Sequence, residues 1–411
     1  MMKGTGDAIA DALIQVLGSW ALGSERIFSI VTDNGPNICL AVETANFESI
    51  RCANHTLQLV IKKDSLERNE EITALITNVK GVVGHFNHST VSSNLLKKAQ
   101  TSKGLLNKKL IQDHSVRWNA TFYMLKRFLE QESALKAVLP QTKCAIEITN
   151  SDWLLLERVV EILGMFEEVT KQFEEDNASL SIVIPLILML RNWVTEELQN
   201  RNQDSVEKLL QYLQKGLDVR FLTILIDPRS ITTHMMATIL DPRFKLEPLQ
   251  EYTDTEEVRK QIGELIGGEK IPTDEEVKLE EQDNEAPFVS KMFKGVWGTY
   301  NQIIRSKGVS RRDSSYSLQT ELELYLSEPC LPLNHNPLDF WKNESRTFPR
   351  LAKLAQKYLS IPPGSSVSER VFSTAGNIVT KKRSSLNPDR VNLLVFLNRN
   401  FKGLQESLCF Y

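Results

Sequence analysis

The sequence predicts an α/β chain that is mainly helical, with a short sheet-bearing part at its amino end, a long all-helical middle and a compact helical unit at its carboxy end. Three observations carry this expectation. A single β-rich run, Ile27-Phe28-Ser29-Ile30-Val31, follows a helical pattern. Strand signals then fade from Ile38 to about Gly216, where apolar residues recur at helical spacing. From Asn336 onward the chain is punctuated by helix-start signals. The 411 residues, 41% hydrophobic and 25% charged, suit two or three core-forming domains at about 150 residues each.

In the first element, Ile9, Leu13, Val16, Leu17 and Trp20 recur at helical spacing from Asp7, and Gly23 closes the helix. The strand Ile27–Val31 then runs into the turn cluster Thr32-Asp33-Asn34-Gly35-Pro36. Side chains emerge at such a strand end, so Asp33 is placed to act. In the middle, Leu154, Leu155, Val159, Leu163 and Phe166 follow a Ser151-Asp152 helix start. Between Glu251 and Glu285 acidic residues crowd and apolar ones thin out, which reads as a mobile acidic loop or linker. A polar stretch from Ser306 to Ser317 precedes a helical one from Leu318 to Leu326. Near the carboxy end, Ile361-Pro362-Pro363-Gly364 breaks the chain, and Ser365 or Ser366 caps a helix carrying Glu369. Asn387 caps the last helix, with Pro388 at its first position and Asp389 in its first turn.

Lys and Arg number 49 against 52 Asp and Glu, a net charge of −3, which excludes a polybasic tail protein. Nucleic-acid binding must therefore rest on local patches. Five scattered cysteines argue for a reducing compartment, and the start carries no apolar signal core. The longest apolar run, Ile182 to Leu190, contains Pro185 and is short of the roughly 20 residues a membrane helix needs. The expectation is a soluble intracellular protein.

Four ordered blocks carry a resemblance: Ile30-Val31-Thr32-Asp33-Asn34; Arg51-Cys52-Ala53-Asn54-His55; Ser115-Val116-Arg117-Trp118-Asn119; and the run from Pro363 through Ser366, Glu369 and Phe372 to Asn377. They resemble the signature blocks of hAT-superfamily transposases, including the domesticated zinc finger BED domain-containing proteins, and Asn398-Arg399-Asn400-Phe401 resembles the close of that family's dimerisation region. The resemblance implies an RNase H-like fold split by a large all-α insertion. Residues 1–50 would be the first part of the core, 51–335 the insertion with its acidic loop near 251–286, and 336–411 a dimerisation region completing the core. It also implies that Asp33 and Glu369 are the second and third of three carboxylates holding two divalent ions. Mg²⁺ or Mn²⁺ in such a pair stabilises the attacking and leaving oxygens of a phosphoryl displacement. The first carboxylate belongs on a strand upstream of the first helix, and the chain starts only a few residues before that helix. Asp7 and Asp11 are no substitute, because they sit in the helical pattern. The expectation is an incomplete RNase H-like fold, little strand-transfer activity, and a strand Ile27–Val31 left without partners. The residue-level alternatives are that Asp33 caps the following helix and that Glu369 pairs with Arg370, Lys381 or Lys382.

By resemblance, His55 lies near a phosphate oxygen, Arg117 meets phosphate and Trp118 stacks on an unpaired base; the competing role for Trp118 is a core tryptophan. Lys97, Lys98, Lys103, Lys108, Lys109, Lys381, Lys382 and Arg383 are candidate phosphate contacts. Cys52, His55, His85 and His88 could supply four zinc ligands, yet His85 and His88 sit beside Val82, Val83 and Phe86 in a helical stretch, so no zinc is expected. Trp341, Leu394, Leu397 and Phe401 belong to a dense apolar set that suits either self-association or packing within the chain. The whole reads as a transposase-derived nuclear protein that dimerises and binds DNA, with no tightly bound cofactor, no membrane and no small-molecule substrate. The rivals are a fragment of an active metal-dependent transposase and a protein-binding scaffold without DNA contact.

Overall fold

The computed structural model describes residues 6–23, 26–113, 117–199, 205–268, 321–379 and 386–408. Helix α1 (Gly6–Ser19) leads to β1 (Ser29–Thr32), α2 (Pro36–Thr44), β2 (Glu48–Arg51) and α3 (Ala53–Gln58). Then come α4 (Glu70–His88), α5 (Thr90–Ser102), α6 (Trp118–Glu130), α7 (Glu132–Val138), α8 (Asn150–Glu174), α9 (Val183–Gln199), α10 (Ser205–Leu217), the single turn α11 (Thr223–Leu225), α12 (Thr233–Leu240) and α13 (Thr255–Gly268). The carboxy-terminal part adds α14 (Glu321–Ser327), α15 (Pro337–Asn343), α16 (Pro349–Leu359), α17 (Ser366–Ile378) and α18 (Pro388–Leu408). The described chain is mainly helical, as its periodicity predicts.

Two compact units result, and the first is discontinuous in sequence. It comprises residues 1–54, 174–178 and 362–411, and the second comprises 55–173 and 179–361. In the first unit β1 and β2 pair in parallel, Ser29 opposite Glu48 and Thr32 opposite Arg51. The expectation that β1 lacks a partner is therefore corrected. The α2 helix supplies the crossover between these parallel strands, as parallel pairing requires. Its residues Ala41 and Val42 are fully buried.

The second unit holds the larger core. Its central helices α8 and α9 bury Leu156, Val159, Leu163, Phe166 and the run Val183 to Leu190. Pro185 falls in the first turn of α9, where a missing N–H costs nothing. The Trp153 and Phe128 rings stack with centroids 5.0 Å apart. Gly216 packs so closely on a π turn at Leu59–Ser65 that a Cβ there would lie 2.9 Å from Val60 Cγ1. Beside this core, the turn after α12 fixes the α14–α16 segment. Asp241, fully buried, accepts from Arg243 Nε (2.9 Å) and Nη2 (2.6 Å) and from Ser181 Oγ (2.7 Å). Lys245, at φ 51°, donates to the carbonyls of Tyr325 and Glu328 at the end of α14. The Trp341 indole donates to Leu240 O at 2.7 Å.

The acidic loop expected near 251–286 is a helix over its first half. In α13, Val258, Ile262 and Ile266 are buried one turn apart, and the acidic residues take the remaining positions. Residues 269–320, with the polar stretch from Ser306 and the start of the helical stretch at Leu318, lie outside the described residues. Among the described residues no helix is long and apolar enough to cross a membrane.

Candidate functional site

The carboxy end of β1 is where the first unit gathers its polar groups. Thr32 is buried, and the chain turns directly after it. Asp33 Oδ1 accepts the Gly35 N–H at 3.1 Å, and Asn34 takes the left-handed conformation, φ 66°, that Asn tolerates better than most residues. Gly35 sits so close that a Cβ would be 3.2 Å from Asp33 Oδ1. Pro36 then opens α2, its fixed φ suited to a first helical position. Asp33 thus braces the turn before α2 rather than capping the helix, whose N-cap Gly35 has no side-chain cap, and its side chain is exposed at the strand end.

From β1 the contacts run to the far end of the sequence. Cys52 N–H donates to Thr32 O at 2.8 Å, and Ala53 N–H donates to Pro363 O at 2.9 Å. Ser365 N–H donates to the buried Cys52 sulfur at 3.3 Å. Gly364 makes this approach feasible, since a Cβ there would stand 3.0 Å from Cys52 Sγ. Ser365 Oγ donates to Glu369 Oε1 at 3.3 Å, and Glu369 N–H closes the first turn of α17 on Ser365 O. Ser365 occupies the cap position, but its hydroxyl serves Glu369 rather than a helix N–H. Arg370 leaves Glu369 to other contacts: it donates to Glu174 O at 2.7 Å and pairs with Asp176. Asp33 and Glu369 therefore belong to one unit, joined through Thr32, Cys52 and Ser365.

Two segments match family models. Residues 321–401 match the hAT family C-terminal dimerisation region, and residues 50–162 match the ZBED1 RNase-like helical domain. The chain thus carries an hAT-type dimerisation region and a ZBED1-like helical domain. Its relatives include the human zinc finger BED domain-containing proteins 6 and 4, 26% identical over 96% of this chain and 25% identical over 90%. The Hobo transposase of Drosophila melanogaster is 24% identical over 83% of it. The chain spans only 42% and 30% of the length of the two human proteins and 54% of the Hobo transposase.

The other expected site residues divide. Arg117 is exposed at the start of α6. Trp118, its neighbour, is 1% exposed and packs on Phe122 with centroids 6.0 Å apart. That corrects the stacking role, because a ring enclosed by protein offers no face to a base; the core alternative holds in this conformation. Trp341 is likewise a core residue, 4% exposed and set against Tyr325 and Phe348, so its assignment to a dimer face is corrected. Leu394 and Leu397 are exposed on α18, with Leu393 and Phe396 beside them. Phe401 lies in α18, and its side chain is outside the description. Lys381, Lys382 and Arg383 also lie outside the described residues.

Of the four zinc candidates, Cys52 is buried with its sulfur taken by Ser365, and His55 follows it in α3. His85 Nε2 pairs with Ser92 Oγ at 2.9 Å, and His88 is exposed. Among the described residues no three His, Cys, Asp or Glu side chains gather to hold a metal. Sequence reasoning did not foresee the clasp formed by Thr32, Cys52, Gly364 and Ser365. Its signal was present as Pro363-Gly364-Ser365, where a glycine between polar turn residues marks close backbone approach.

Proposed function

We infer that this protein is a self-associating, DNA-binding nuclear derivative of an hAT transposase, and that assembly rather than strand transfer is its activity. The observation that carries the reading is the apolar face of α18. Leu393, Leu394, Phe396 and Leu397 are exposed there, inside the segment that matches the dimerisation region. In α17, Val367 and Phe372 add to the exposed apolar surface of the same unit, and Phe372 is 75% exposed. Large side chains left in water on paired helices are the mark of an interface. A two-fold contact would bury the same face of both copies.

On this reading the discontinuous first unit belongs to an RNase H-like core, interrupted in sequence by the helical second unit. Its support is the clasp that ties the β1 end to the start of α17. Asp33 and Glu369, both exposed, offer the oxygen donors Mg²⁺ takes and are the residues that would hold such an ion. Such an ion would supply Lewis-acid stabilisation of a phosphoryl oxygen.

Sedimentation equilibrium of the full chain tests the assembly reading. Twice the 46.8 kDa of one chain is expected for the wild type, and 46.8 kDa for Leu394→Asp/Leu397→Asp. A monomeric wild type overturns it. The similarity to the Hobo transposase favours a second reading, part of a working metal-dependent enzyme. Strand-transfer products with Mg²⁺ or Mn²⁺, abolished by Glu369→Gln, would establish that reading in place of the first.

A further inference from the structure

We propose that α5 and the loop that follows it to Leu110 form a docking face for the phosphate backbone of duplex nucleic acid. Between Ser89 and Gln112 the sequence holds five lysines, Lys97, Lys98, Lys103, Lys108 and Lys109, and no Asp or Glu, in a chain whose net charge is −3. Lys108 is neutralised by Glu130 at 3.3 Å. Lys97, Lys98, Lys103 and Lys109 are exposed and make no ion pair among the described residues. Lys63, Lys136 and Lys171 each pair with a carboxylate four residues away, Glu67, Glu132 and Glu167, whereas the Ser89–Gln112 stretch holds no carboxylate to do so.

The backbone beneath them is held in place. Gln100, buried, donates from Nε2 to Lys108 O and to Gln131 Oε1, both at 2.8 Å. Gly104, at φ 69°, reverses the chain, and Leu105 N–H returns to Gln100 O at 2.9 Å. Arg127 Nη1 donates to Lys109 O at 3.0 Å. A buried side chain and an arginine thus both help to fix the loop that carries the lysines. A partner meeting a fixed array pays less ordering entropy than one meeting a floppy tail.

The array suits a regular polyanion. Lys97 and Lys98 are adjacent on α5, Lys103 stands at its end, and Lys109 follows in the loop that Gly104 turns back. Asn94, Ser102 and Asn107, exposed among the lysines, are neutral groups of the kind that bond phosphate oxygens. Val91 and Leu106 are the exposed large apolar side chains of this stretch, too few to seat it in a bilayer. Backbone contacts of this type fix a duplex without reading its sequence.

The inference rests on the DNA-binding part of the reading above and is separable from its assembly part. The test is fluorescence anisotropy of a labelled random-sequence duplex against the full chain over a range of salt. Replacing Lys97, Lys98, Lys103 and Lys109 together by Gln should lower the slope of log affinity against log salt by about 3 to 4, near 0.9 for each lost phosphate contact. Affinity at low salt should fall at least about tenfold. The corresponding Lys→Arg variant should keep the wild-type slope, and the Gln variant should keep the wild-type mass by sedimentation. An unchanged slope in the Gln variant overturns the proposal. So does a wild type that ignores the duplex, whether or not it binds polyglutamate or vesicles of anionic lipid. A monomeric wild type that binds the duplex through these lysines would sink the assembly reading and leave this one standing.

Discussion

Ser365 N–H donates to the sulfur of Cys52 at 3.3 Å, across 313 positions of sequence. The amino- and carboxy-terminal parts of the first unit are bonded to each other here, since Cys52 N–H and Ala53 N–H donate to Thr32 O and Pro363 O on either side of it. The contact also brings the Asp33 turn and the first turn of α17 into one unit.

Gly364 is the position at which this clasp is most easily broken. A Cβ there would sit 3.0 Å from Cys52 Sγ, tighter than ordinary carbon–sulfur contact, so the sulfur would have to give way. Gly364→Ala should cost about 1–2 kcal/mol by urea unfolding, the usual scale for overpacking. In a Cys52→Ala background the sulfur is gone, and Gly364→Ala should then be close to neutral. Equal costs in the two backgrounds would show that the clasp does not confine the glycine.

The second unit depends on Asp241, a carboxylate with no exposure, held by Arg243 and Ser181. Removing it strands a guanidinium beside the turn that anchors Trp341. Asp241→Ala should destabilise the protein by about 3–5 kcal/mol, as for other broken buried pairs. Asp241→Ala with Arg243→Met should recover part of that loss. Near-UV circular dichroism of the Tyr325–Trp341 cluster reports the same event.

Acid should weaken the second unit through His234. Burial pushes this imidazole down to about 4, whereas in the unfolded chain it titrates near 6.5. As pH falls below 6.5 the unfolded chain takes up a proton that the folded one refuses. Stability is therefore full above about 6.5, falls between 6.5 and 4, and then levels for this group, by up to about 3 kcal/mol. His234→Gln should flatten that part of the stability curve. A wild-type curve that keeps the same slope in the variant would assign the loss elsewhere.

Much of this was legible in the sequence. The apolar run at Ile27–Val31 foretold β1, and Asn387-Pro388-Asp389 foretold the start of α18, where Asn387 Oδ1 does accept the Asp389 N–H at 2.9 Å. The β2 strand was hidden, because of Glu48, Ser49, Ile50 and Arg51 only Ile50 is buried and no apolar alternation develops. In α13 charge density outweighed a sound helical spacing of Val258, Ile262 and Ile266. Trp118 and Trp341 were drawn toward the surface by resemblance and by apolar clustering. Both are interior residues, as a large ring within a helical core most often is. The clasp at Cys52 joins segments hundreds of residues apart, and no local pattern reports such a pairing.

Cysteine cross-linking on α18 tests the assembly most directly. In an isologous dimer the same residue of two copies can meet, and a disulfide forms only when the two Cα atoms come within about 7 Å. Leu393, Leu394, Phe396 and Leu397 would be changed to Cys one at a time in a Cys409→Ser background, with the exposed Leu338→Cys in the second unit as the control. The account predicts a covalent dimer under mild oxidation for at least one α18 position and none for position 338. Cross-linking at position 338 alone, or at none of the five, would contradict it.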